Sequence, residues 1–112
     1  MAKTEQDIKK LAEDYAKELE KLGVPVDKIL LFGSYARGEA RDLSDIDFAV
    51  ISERFGKKDG IEFSGVLSRA SIPFDEIIEA IGLSPERLEN APKLSFFEHI
   101  RNTSKVVYKK AA

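Results

Sequence analysis

Two aspartates, Asp45 and Asp47, stand at the mouth of an otherwise apolar run, Ile46-Asp47-Phe48-Ala49-Val50-Ile51. Read as a strand, the run alternates its side chains between two faces, so both carboxylates share one face about 7 Å apart. Ala49 and Ile51 continue that face as apolar surface. Two ionised carboxylates beside a buried surface repel each other and lose hydration. A divalent cation relieves both costs, and Mg²⁺ favours one or two carboxylates completed by substrate phosphates. Upstream, an apolar run over residues 29–32 stops at Gly33-Ser34. Glycine permits a sharp turn and close approach of a ligand to the backbone. Successive N–H groups in such a turn, or at a helix N-terminus, bind anions. The Ser34 hydroxyl adds a donor, Arg37 returns to the same face of a short helical turn, and Gly38 can close that turn in a left-handed conformation. A phosphate cradle beside a metal site is the minimum equipment for metal-assisted phosphoryl or nucleotidyl transfer. The plainer reading, a strand entrance with Ser44 and Asp45 capping a turn, leaves Asp47 inside an apolar run unexplained.

The surrounding elements must position these residues. Ile8, Leu11, Ala12, Tyr15, Leu19 and Leu22 recur at three- and four-residue spacing, which predicts an amphipathic helix over residues 4–22. Thr4 with Asp7 opens it, Gly23 and Pro25 end it, and Lys10, Glu13, Asp14, Lys17 and Lys21 form its solvated side. Strands are expected over residues 26–32 and 46–51, a second helix over residues 61–70, and a third strand over residues 72–78, with Pro73 near its start or on a sheet edge. Lys57 and Lys58 fall in a turn-like stretch and read as a solvated loop. Ser84-Pro85 and Ser95 with Glu98 carry helix-start signatures, and residues 106–108 form a closing strand. Phe96, Phe97 and Ile100 are expected to anchor the last helix to the core, with His99 a surface or packing residue rather than a catalyst.

Composition narrows the chemistry. With no cysteine and one histidine, thiolate and histidine-rich metal sites are excluded, leaving hard, oxygen-bound ions. The 112 residues fit a single domain over 1–112, and 43% hydrophobic residues supply a core. A net charge of −2 argues against a dedicated nucleic-acid footprint. No apolar stretch reads as a leader or a membrane span, so a cytoplasmic protein is expected.

Gly33-Ser34-Tyr35-Ala36-Arg37-Gly38 followed by Ser44-Asp45-Ile46-Asp47-Phe48-Ala49-Val50 resembles the signature of minimal nucleotidyltransferases, the smallest members of the DNA polymerase beta-like superfamily. The likeness runs from about Ile29 to Tyr108, and its specific part is this core stretch. It implies an α+β fold, a small mixed sheet with helices packed on one face. It further implies that Gly33 and Ser34 hold the phosphates of ATP or another nucleoside triphosphate. Asp45 and Asp47 would hold Mg²⁺, two ions in all, and a third acid on the next strand would complete a triad. Asp75 matches that position. Glu76 beside it is an alternative, and an exposed strand end would need neither. Arg37 would add charge near the leaving pyrophosphate, or pair with Asp42 or Glu39. Tyr35 could stack on a base, but packing is the simpler reading. Larger relatives carry a helical acceptor-binding domain for which 112 residues leave no room. The expected partner is therefore a small HEPN-type helical protein, with this chain as the nucleotidylating antitoxin of a toxin–antitoxin pair, or a second copy of the chain. The alternative is a non-catalytic module of the same fold that acts by complexing a partner.

Overall fold

The computed structural model describes residues 3–41, 44–56 and 63–111. Helix α1 (Glu5–Lys21) begins with the capping box expected from Thr4 and Asp7: each side chain accepts a hydrogen bond from the other residue's backbone N–H, at 3.1 and 3.0 Å. Its apolar stripe buries Ile8, Leu11, Ala12, Tyr15, Ala16 and Leu19, while Leu22 falls at the C-cap and is partly exposed. The chain then forms β1 (Lys28–Phe32), α2 (Gly33–Ala36), β2 (Ile46–Ile51), a 3₁₀ turn (Glu53–Phe55), α3 (Ser64–Ser71), β3 (Ile78–Leu83), α4 (Pro85–Glu89), α5 (Phe96–Thr103) and β4 (Lys105–Lys109). Ser84 and Ser95 cap α4 and α5 as their positions predict. Among the described residues no helix is long and apolar enough to cross a membrane. Lys57 and Lys58 lie outside the described residues.

The four strands make one mixed sheet in the order β3-β2-β1-β4, with β1 antiparallel to both neighbours and β2 parallel to β3. Alternation sorts its side chains into two cores. Ile29, Leu31, Ile46, Phe48 and Val50 point to the side covered by α1 and α3. The Tyr15 hydroxyl crosses that core to donate to the Leu67 carbonyl at 2.7 Å, and its ring contacts Phe48 and Phe74. Leu30, Ala49, Ile51 and Leu83 point to the other side, where Leu88 of α4 and Ile100 of α5 meet them. The long-helix layer is thus on one face, as expected, and two short helices cover part of the second.

The third strand differs from its expected bounds. Residues 72–77 do not extend from Pro73. They turn away from α3 through hydrogen bonds from Ile72 N to the Arg69 carbonyl and from Phe74 N to the Ser71 carbonyl. Pairing with β2 starts only where Ile46 N meets the Ile77 carbonyl, giving Ile46↔Ile78 as the first register pair. The near-continuous apolar run over residues 77–83 is what a strand in parallel pairing shows. Gly82 in this strand faces the buried ring of Phe55, and a Cβ there would lie 2.8 Å from a ring carbon. Gly82→Ala is therefore expected to destabilise the protein by about 1–3 kcal/mol through overpacking. Thermal unfolding checks it, at about 4–8 °C of midpoint per kcal/mol.

Candidate active site

β1 runs straight into α2 with no intervening loop, and Gly33 at the junction has φ 75°. Phe32 at the N-cap offers no side-chain acceptor, so the first-turn N–H groups of α2 have no cap from it. Gly33 also packs directly on Asp47: a Cβ at this position would overlap the Asp47 carboxylate and lie 2.9 Å from its Cγ. Two separate demands, a left-handed backbone and a close approach, thus fall on one residue. Gly38 closes the turn at φ 73°. Arg37 lies between them; its Nε donates to Glu39 Oε2 at 3.3 Å, and its charge also acts on Asp47. Of the pairings expected of it, the one with Glu39 forms, whereas Asp42 lies outside the described residues.

Asp47 sits in a cross-strand row, paired with Phe32 on β1 and with Glu79 on β3. Asp45 precedes β2 by one residue. Burial pushes the Asp47 carboxyl above its ordinary range, and the neighbouring Asp45 charge adds to the push. Glu79 is raised as well, first by its hydrogen bond with Asp45, then by the charges of Asp45 and Asp47. The charges of Asp45 and Asp47 thus both act against ionisation of Glu79. Among the described residues, however, no three acidic or histidine side chains are set around one common ion position. A closed all-protein cage is not what Mg²⁺ requires: one or two carboxylates with the remaining oxygens from substrate and water suffice. Clustered hard-oxygen donors whose charges need compensation, next to a backbone turn kept open by glycine, fit that ion.

The structure brings Asp45, Asp47, Gly33 and Arg37 together with Ser34, the second residue of α2. It does not bring Asp75 to them. Because β3 begins at Ile78, Asp75 lies in an exposed bend ahead of the strand. Glu76, the alternative, forms an ion pair with Lys3 at 2.6 Å. Glu79 holds the place in the row, and the sequence does signal it: a lone acid in an apolar run, as Asp47 is in β2. Tyr35 packs against the α1 side and accepts a hydrogen bond from Lys3 N at 3.2 Å, which makes it a packing residue. His99 is on the exposed side of α5.

A family model described as the nucleotidyltransferase domain matches residues 9–109. The chain belongs to this family. This nucleotidyltransferase is 32% identical over 78 residues to "Putative protein adenylyltransferase MJ0141" of Methanocaldococcus jannaschii, an alignment covering 69% of the chain and 74% of the relative. Its fold is similar to a crystal structure of a "putative nucleotidyltransferase" from Sulfolobus solfataricus, with TM-score 0.58 and 18% identity over 98% of this chain and 91% of that one. A second similar fold is in a toxin–antitoxin structure with AMP-PNP, with TM-score 0.57 and 23% identity over 88% of this chain and 73% of that one. The mixed four-stranded sheet of the nucleotidyltransferase is accordingly the family's fold, and the chain is a transferase.

Proposed function

We propose that this nucleotidyltransferase transfers AMP from ATP to a hydroxyl on a partner protein, using Mg²⁺ held by Asp45 and Asp47. One observation supports the reading: Gly33 fits against Asp47 only because it lacks a side chain, so a phosphate bound at that turn would adjoin a metal held by Asp47. A protein acceptor is supported by the name of the Methanocaldococcus relative, and a triphosphate donor by the AMP-PNP in the toxin–antitoxin structure. That structure also supports an antitoxin role, in which the acceptor is the paired toxin. The resemblance adds that such a partner is a helical HEPN-type protein. A reaction that consumes ATP is in keeping with a cytoplasmic location.

In this scheme the first-turn N–H groups of α2 and the Ser34 hydroxyl bind the β and γ phosphates. Arg37 adds positive charge near the leaving pyrophosphate. Bound divalent cation, one ion or two, supplies neutralisation of charge on the reacting phosphate oxygens. The acceptor oxygen bonds to the α-phosphorus, the bond from that phosphorus to the bridging oxygen breaks, and pyrophosphate departs with the electron pair. The hydroxyl proton passes to Glu79, the carboxylate beside Asp47 in the cross-strand row.

ATP labelled at the α-phosphate, incubated with Mg²⁺, the protein and an extract of its host, tests the assignment. Wild type and Asp75→Asn are expected to label a protein band, and Glu79→Gln to leave it unlabelled. Loss with Asp75→Asn and retention with Glu79→Gln would return the third carboxylate to Asp75. Label only on small molecules would replace the protein acceptor.

A further inference from the structure

The carboxylate row continues into an aromatic ledge that the reaction scheme leaves unused. Phe32 is the direct cross-strand partner of Asp47, and adjacent side chains in such pairs stand about 4.5–5.5 Å apart at Cβ. The ring of Phe96, the first residue of α5, meets Phe32 edge to face with centroids 5.7 Å apart and planes at 79°. Phe96 therefore stands on the order of 10 Å from Asp47 by way of Phe32, about the span of one nucleoside. Yet 54% of it is exposed, although the sequence predicts an anchor. The anchoring of α5 falls instead to Ile100, which is buried, and to Phe97, which packs with it. The start of α5 that carries Phe96 is well capped. Ser95 accepts from Glu98 N at 3.1 Å, and Glu98 Oε1 accepts from Leu94 N at 3.0 Å.

We propose that Phe96 is the stacking platform for the nucleobase of the donor nucleotide, an inference that rests on the nucleotidyl-transfer reading above. A triphosphate seated at Gly33–Ser34 and the Asp45–Asp47 pair leaves its nucleoside to be placed, and the open ring on the same side of the sheet offers a flat apolar surface at that range. Base–aromatic stacking loses about 1–3 kcal/mol on alanine substitution, which is about 5- to 150-fold in affinity.

The test compares binding of ATP with binding of inorganic tripolyphosphate, which has no base, both with Mg²⁺, by calorimetry. Phe96→Ala is expected to weaken ATP by about 5- to 150-fold and leave tripolyphosphate unchanged. Phe96→Trp, which keeps a π-face, is expected to restore ATP binding. Unchanged ATP affinity in Phe96→Ala would overturn the platform. So would an equal loss of both ligands, since the ring would then act through the carboxylate row. If wild type binds neither ligand, the nucleotide site itself fails, and the platform with it.

Discussion

Gly33→Ala is expected to lower nucleotidyl transfer at least about a hundredfold and to weaken Mg²⁺-ATP binding with it. Two costs combine. A left-handed backbone at a residue with a Cβ costs roughly 1–2 kcal/mol, and Gly33 has φ 75°. The added methyl must also displace the Asp47 carboxylate, and a shift of about 1 Å in a reacting group can cost about 10²-fold in rate. Gly38→Ala separates the two effects. Gly38 has almost the same φ, 73°, but open space where its Cβ would stand. That variant should lose comparable stability and keep most of its activity. Comparing kcat/KM for both variants, at a temperature where both are folded, checks the prediction. Equal losses would mean that the contact with Asp47 does not matter.

Asp47→Asn should move activity and stability in opposite directions. Losing a charge that holds the metal is expected to cost at least about 10²–10³ in rate. The metal-free protein should nevertheless become more stable at neutral pH. Burial and the Asp45 charge raise the folded-state Asp47 carboxyl above its unfolded value, so the folded protein holds the proton more tightly. Below about pH 4 the group is protonated in both states and carries no penalty. As pH rises through the folded-state value, wild type loses stability that the asparagine variant keeps. The gain in melting temperature should thus be small in acid, full at neutral pH, and offset by Mg²⁺, which stabilises only wild type. Thermal unfolding at two pH values, with and without Mg²⁺, reads this. A variant less stable than wild type at pH 7 without metal would show that Asp47 is held by net favourable contacts.

How much of this was legible beforehand depended on whether the signal was local. The stripe and capping box of α1, the serine caps of α4 and α5, and β2 over residues 46–51 are written in neighbouring residues, and each forms where expected. The adjacency of Gly33 and Asp47 could be anticipated in kind but not in detail, because antiparallel pairing of Phe32 with Asp47 sets it. Glu79 was hidden for a different reason. The parallel β2–β3 register is fixed through a crossover containing α3, so the strand expected over residues 72–78 starts too early to reveal it. Phe96 is a different case: at the first turn of an amphipathic helix an aromatic reads as core, whereas here it lies at the C-terminal end of β1 beside Phe32.

The most direct test of the whole account is thermal unfolding of wild type and Asp45→Asn with ATP alone, Mg²⁺ alone, and both together. A ligand at about 100 times its dissociation constant adds roughly 2.7 kcal/mol to the folded state. Each kcal/mol moves the midpoint of a domain this size by about 4–8 °C. The account predicts a rise of that order in wild type only when ATP and Mg²⁺ are both present, and its loss in Asp45→Asn. No rise in wild type at millimolar ligand, or an equal rise in the variant, would contradict a metal-dependent nucleotide site at these carboxylates.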